Sequence, residues 1–227
     1  MCLDHIPERI GAVHNTGGSH CEAIVSTVPA LYWTAKTGYI LDMSILKIAR
    51  MGHPVLRAPA APVRDPGAAE IRALVADMAD TLRDAEGAGL AAPQVHVPLR
   101  IVIFEVPAER SGEAAVPPTV LVNPEIEVLS DETALDWEAC LSIPGMMGVV
   151  SRFTHIRYRG VNLEGGTVER EARDYHARVV QHECDHLDGI LYPMRIDDMG
   201  LFGFVEEMRK AAGDDDGGDD DDEEAVE

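Results

Sequence analysis

The sequence predicts an α+β domain of hairpins and separate helices. Two amphipathic helical stretches, over 67–87 and 174–188, stand far apart in the chain. Between them lie short β-branched runs closed by proline or glycine. No βαβ alternation joins these pieces, which argues for α+β rather than a parallel α/β sheet. With 227 residues and 46% apolar composition, the chain can bury one sizeable core.

Three zones follow from the patterning. Residues 1–43 show no sustained helical or strand period and read as an unpatterned extension. Residues 44–212 form the patterned domain. Residues 213–227 are low-complexity acid, expected to be disordered because they have too little apolar surface to offset the entropy of ordering.

Within the domain, GAAEIRALVADMADTLRDAEG (67–87) places Ile71, Leu74, Val75, Met78 and Leu82 on one helical face, with glycine where the helix should stop. RIVIFEV (100–106) and TVLVNPEIEVL (119–129) are apolar and β-branched, hence strands. HIRYRGVNLEGGTVEREAR (155–173) alternates around Gly165-Gly166 and reads as a hairpin. Residues 174–188 read as a helix with Tyr175, Val179, His182 and His186 along one face, and LFGFVEEMRKA (201–211) gives a last short helix.

Charge and cysteine usage narrow the function classes. The formal charge is -21, and ten of the acidic groups fall in residues 214–227. Acidic groups outnumber basic ones even without that tail, so nonspecific or direct DNA binding is not expected: no excess of cations replaces phosphate counterions. No apolar run approaches the length of a membrane span, and the first residues lack the basic-then-apolar order of a secretory signal. Cys2, Cys21, Cys140 and Cys184 are too scattered for a disulfide framework. A reducing, cytoplasmic location is therefore expected.

The chemistry concentrates in QHECDHLDG (181–189). Residues four apart share a helix face, so His182 and His186 can grip one ion through neutral imidazole nitrogens. Glu183, rotated by about 100° from His182, can lean over the same ion and handle protons. Val179, Val180, Leu187, Ile190 and Leu191 flank the motif, so part of this helix is buried and its polar groups need partners. Catalytic sites of this kind usually take a third protein ligand. Cys140, in WEACLSIPG (137–145), is the candidate, although a lone cysteine also reads as a small buried apolar residue. Its segment is expected to turn at Pro144-Gly145. In EGAGLAAPQ (86–94), Gly87 and Gly89 let the backbone approach something closely and Gln94 offers an amide donor; the glycines alone also fit a helix-ending turn.

GAGLAAPQ, EACLS and QHECDH, in that order, resemble the three signature motifs of the peptide deformylases, over roughly residues 44–210. The resemblance implies an α+β fold in which mixed or antiparallel sheets pack around a central metal-bearing helix. It implies Cys140, His182 and His186 as metal ligands and Glu183 as general base and acid. It also implies Gln94 and the Leu141 N–H as donors to the formyl oxygen, and Arg152 as a bracket between Glu138 and Asp185. The implied substrate is the N-formylmethionyl end of a nascent polypeptide, the released product formate, and the physiological ion Fe2+. The soft thiolate donor also suits Zn2+, Ni2+ or Co2+. One residue departs from the family pattern: Ala139 stands where glycine is usual, which would cost about 1 kcal/mol or more were that backbone left-handed.

Two other readings use the same residues. An HExxH metallopeptidase would need a glutamate or histidine ligand downstream, yet no histidine follows His186. A noncatalytic metal-containing peptide-binding relative would need neither Glu183 nor Gln94. By resemblance Met43-Ser44 looks like a natural start, so residues 1–42 are expected to be dispensable. The resemblance also implies a ribosome partner; the acidic tail is expected to serve solubility, the alternative being that it weakens that docking by repelling RNA.

Overall fold

The computed structural model describes residues 44–111 and 114–212; the extension 1–43 and the acidic tail lie outside them. In chain order the elements are α1 (Ala69–Asp84), β1 (Gly89–Ala91), β2 (Ile101–Val106), α2 (Ala108–Ser111), β3 (Val116–Val128), β4 (Thr133–Cys140), β5 (Ile143–Phe153), β6 (His155–Val161), β7 (Thr167–Arg173), α3 (Asp174–Leu187), β8 (Phe202–Phe204) and α4 (Val205–Ala212). They build a five-stranded sheet, β1-β2-β3-β6-β7, and a three-stranded sheet, β4-β5-β8. Every strand pairing in both sheets is antiparallel, so the expected α+β class holds and neither sheet is mixed.

Helices cover both faces of the larger sheet, which is why its central strands are apolar at consecutive positions rather than at alternate ones. Ile101 and Ile103 pack with Ile71, Val75, Met78 and Leu82 of α1. Val102 and Phe104 point the other way, into a cluster with Leu121, Ile156 and Tyr158 and with Ala177, Val180, Cys184 and Leu187 of α3. A third cluster, with Cys140, Ile143 and Val150 beside Leu56, Leu191 and Tyr192, fills the space next to the smaller sheet. Residues His176 to Leu187 of α3 are all buried.

Strand β3 serves two neighbours by bending in its middle. Its first half pairs with β2 and its second half with β6, and the register with β6 shifts between Val122 and Glu125. Asn123 sits at that bend with φ 52, a left-handed conformation asparagine tolerates. Its carboxamide accepts from Val63 N–H and donates to Val63 C=O, both at 2.9 Å, standing in for a strand partner.

The far end of α3 is equally well tied. Arg100 reaches Asp188 at 2.7 Å, and Ala60 N–H donates to the Leu187 carbonyl. Gly189 has φ +74, and a Cβ there would lie 2.6 Å from the Arg57 carbonyl oxygen, so only glycine fits this close crossing.

Two local expectations differ from the structure. The chain reverses at Leu141-Ser142 rather than at Pro144-Gly145; the latter pair belongs to a bulge on β5, between the Cys140↔Ile143 and Ala139↔Met147 pairings. LFGF does not open a helix. Phe202–Phe204 add as β8 onto β5, and the helix begins only at Val205, because strand pairing with Met146–Gly148 satisfies that backbone first. The hairpin over 155–173 pairs His155 with Arg173 through Val161 with Thr167, as its alternation indicates.

Asn123→Ala should cost about 2–4 kcal/mol, from two lost hydrogen bonds and a left-handed alanine. Asn123→Gly should recover about 1 kcal/mol of that by relieving the strain. Urea unfolding of both variants measures the difference.

Candidate active site

The clustered groups come from two elements, α3 and the β4–β5 hairpin. Cys140 ends β4, while His182 and His186 lie one turn apart on α3. One ligand atom from each of the three lies within 4.8 Å of the others, and all three residues are buried. The Cys140 Sγ is 3.4 Å from His186 Nε2. His182 Nδ1 is 2.8 Å from Glu138 Oε2; the carboxylate can only accept, so this nitrogen donates and Nε2 is left free to ligate. A thiolate and two imidazole nitrogens at this spacing fit a borderline divalent ion. Burial, helped by the neighbouring His182, drives His186 well below its ordinary pKa and keeps it neutral, the state that ligates. Burial also opposes charge on His182, but hydrogen bonds to Cys140 and Glu138 overcome it and raise that imidazole well above its ordinary value. An ion entering the cluster therefore displaces a proton.

Glu138 is the acceptor on which the site is organised. Arg152 grips it with two parallel bonds, Nε to Oε1 at 2.8 Å and Nη2 to Oε2 at 2.9 Å, and extends Nη1 to Asp185 Oδ2 at 2.6 Å. The bracket implied by the motifs is thus present in the geometry. Arg178, one turn before His182, adds Nη1 to Glu138 Oε1 at 2.9 Å. Burial pushes the Glu138 carboxyl up, but the bonds from Arg152 and His182 outweigh it and hold the group well below the usual carboxylate range. Asp185 is also held by Arg195. Neither Arg178 nor Arg195 belongs to a recognisable motif. The signal that marks Arg178 is a charged residue among the apolar positions of ARVV, which demands a buried partner.

Glu183 contrasts with Glu138. It is buried, and among the described residues no group donates to its Oε2. Burial pushes its carboxyl up to about 7. Gly89 explains how the side chain fits: a Cβ on Gly89 would lie 2.6 Å from Glu183 Cδ. This carboxylate is what the glycine-bearing segment approaches.

Gln94 follows β1 in a short 3-10 turn, Ala92–Val95. Its Oε1 accepts from Ala91 N–H at 2.8 Å, which orients Nε2 towards Cys140 Sγ at 3.5 Å and Ser142 Oγ at 3.2 Å. Leu141 follows Cys140 at the hairpin turn, which puts its N–H next to the thiol. The strap over 44–51 ties these pieces together: Ala49 N–H donates to the Gln94 carbonyl and Met51 N–H to the Ser142 carbonyl. Ala139 is not among the residues of positive φ, so alanine carries no left-handed strain there.

An α+β fold that buries a cysteine-histidine-histidine cluster beside a glutamate with no donor to its Oε2 among the described residues fits the class of metal-dependent hydrolases. The sequence profile of the polypeptide deformylases matches residues 45–201. Peptide deformylase 1 of Nitrosomonas europaea is 50% identical over 166 residues, covering 72% of this chain and 94% of that protein. Peptide deformylase 1 of Bordetella pertussis is 53% identical over 161 residues, covering 70% and 92%. Among solved structures, the Met-Ala-Ser-bound class I type b peptide deformylase of Acinetobacter baumannii aligns with TM-score 0.63 and 35% identity, over 68% of this chain and 99% of that one. The chain belongs to the polypeptide deformylase family, metal-dependent hydrolases that remove the N-formyl group from nascent polypeptides, and it is an enzyme of that activity.

Glu138→Ala would leave two buried guanidinium groups without their shared acceptor. It should destabilise the metal-free protein by about 3–5 kcal/mol. Denaturant titration of metal-free wild type and variant checks this.

Proposed function

We propose that Cys140, His182 and His186 hold the ion, that Glu183 moves the protons, and that Gln94 and Leu141 receive the charge formed on the formyl oxygen. The observation that carries this reading is the convergence of the three ligand atoms within 4.8 Å. A bound divalent ion supplies Lewis acidity and lowers the pKa of a water.

Glu183 takes the proton of the attacking water and returns it to the departing amine, so formate and a free methionine amino group leave. A carboxyl pushed up to about 7 suits both transfers. Gln94 Nε2, fixed as a donor by the Ala91 N–H bond, and Leu141 N–H donate to the oxyanion. On α3, Tyr175 and Val179 precede Glu183 by two turns and one turn, offering an apolar floor to the methionine side chain. Strands β1 and β4 both end their sheets, and a peptide backbone can pair with such free edges. The Met-Ala-Ser seen with the Acinetobacter baumannii relative is a peptide of the released type.

Fe2+ is proposed as the physiological ion, with Zn2+, Ni2+ and Co2+ as competent substitutes for the same donors. The substrate meets the enzyme in the cytoplasm, at or near the ribosome. There the acidic residues of 214–227 repel ribosomal RNA at low salt. No helix among the described residues is long and apolar enough to cross a membrane.

The test is formate release from formyl-Met-Ala with metal content measured on the same sample; casein should remain uncut. Turnover without bound metal, or cleavage of casein, would refute the reading. Glu183→Ala should keep the ion and lose activity by at least about 100-fold. Cys140→Ala should lose or weaken metal binding, and full metal stoichiometry with full activity would exclude Cys140 as a ligand. Gly89→Ala should displace the Glu183 carboxylate and cost about 100-fold in kcat with metal content unchanged. Iron-loaded enzyme should lose activity in air through oxidation beside the thiolate, whereas nickel-loaded enzyme should not; timed assays under air and under argon distinguish them.

A further inference from the structure

We infer that Arg178 is a positioning residue for the metal centre: it sets the spacing between α3 and the Cys140-bearing hairpin, and so the place of His182 relative to Cys140. The inference rests on the proposed ligand set, whose members come from two separate elements. Something must hold those elements at one separation.

Two arginines do so from opposite sides. Arg152 projects from β5 and reaches Asp185 on α3 at 2.6 Å. Arg178 projects from α3 in the opposite direction. Its Nη1 donates to Glu138 Oε1 on β4 and to the Val150 carbonyl on β5, each at 2.9 Å, and its Nη2 donates to the Ala134 carbonyl at 2.8 Å. One side chain thus binds both strands of the hairpin and the carboxylate that orients His182. It is only 5% exposed, so these bonds are little weakened by competing water.

The two clasps bracket His182 along the helix, Arg178 one turn before and Asp185 about one turn after. Gln181 also bonds the Phe153 backbone at the far end of β5, and His182 bonds Glu138. Arg178 differs from these ties in reaching β4, β5 and the Glu138 carboxylate with one side chain, so its loss frees the helix turn before His182 while the ties at and after His182 remain. Arg195 does not duplicate this role, since its bonds to Asp185 reach no strand of the hairpin.

The test uses the full-length chain loaded with Co2+. The thiolate-to-cobalt charge-transfer band reports Cys140, and the ligand-field bands report the symmetry of the whole donor set. Arg178→Met keeps the volume and leaves Glu138 bonded to Arg152 and His182. It should retain native far-UV circular dichroism, alter the ligand-field bands and release cobalt to a chelator at least about 10-fold faster. On formyl-Met-Ala, kcat should fall by a similar factor while KM moves less than about 3-fold, because the displaced groups are the ones that act in the chemical step. Arg178→Lys should fall between the two, and it serves as the test if the methionine variant does not fold. Cobalt release and ligand-field bands equal to wild type in a folded variant would overturn the inference. Absence of the charge-transfer band from wild type itself would instead refute Cys140 as a ligand.

Discussion

The structure depends on the ion-paired Glu138 carboxylate, which joins three elements at one point. Its four bonds come from Arg152 on β5 and from Arg178 and His182 on α3, while it stands itself on β4 two residues before Cys140. A site whose donors lie on a helix and on a separate hairpin cannot be pre-organised by either element alone. The hydrophobic contacts of α3 with Leu121, Ile156 and Tyr158 hold the helix against the larger sheet. They are non-directional, however, and do not fix how the helix faces the smaller one. The directional, charge-assisted bonds supply that constraint.

Burying so much charge is not an efficient route to stability. Removing ions from water costs several kcal/mol each, and well-packed apolar replacements often do as well or better. The network is better understood as a source of geometry. The apolar contacts of the larger sheet with α1 and α3 provide most of the driving force, and their margin permits a polar seam between α3 and the β4–β5 hairpin. Each buried member of that seam has partners among its neighbours, the exceptions being atoms of the groups that face the cluster: Glu183 Oε2, His186 Nδ1 and the Tyr192 hydroxyl.

The same seam explains what could and could not be read from the sequence. α1, β2 and the β6–β7 hairpin bury ordinary apolar faces, and their periods are visible. The α3 motif was visible because two histidines and a glutamate at helical spacing are rare without a use. The β4–β5 pair carries no legible strand pattern, because its inward face is polar: Glu138, Cys140 and Arg152 are buried, whereas Leu135 is 68% exposed. Alternation therefore inverts the apparent inside and outside of β4, and the Pro144-Gly145 turn signal lies three residues past the turn itself. Cys140 could be singled out only through the neighbouring motifs. The scattered partners Arg178 and Arg195 carry no local pattern, since their meaning lies in contacts with residues about 40 and 10 positions away.

Two glutamates serve opposite ends of the same chemistry, and environment alone separates them. Glu138 accepts four hydrogen bonds, three of them from cationic arginine groups, and remains ionised; a group so saturated has no affinity left for a transferred proton. Glu183, one residue beyond His182, is desolvated by the approach of Gly89 and lacks a donor on Oε2, so its carboxyl sits at about 7. It can hold a proton and release it with little driving force in either direction. His182 connects the two. Its Nδ1 is locked to the carboxylate that must not protonate, and its backbone positions the one that must. Exchanging the two environments would leave every residue type in place and remove the function, because the division of labour lies in which carboxylate the arginines reach.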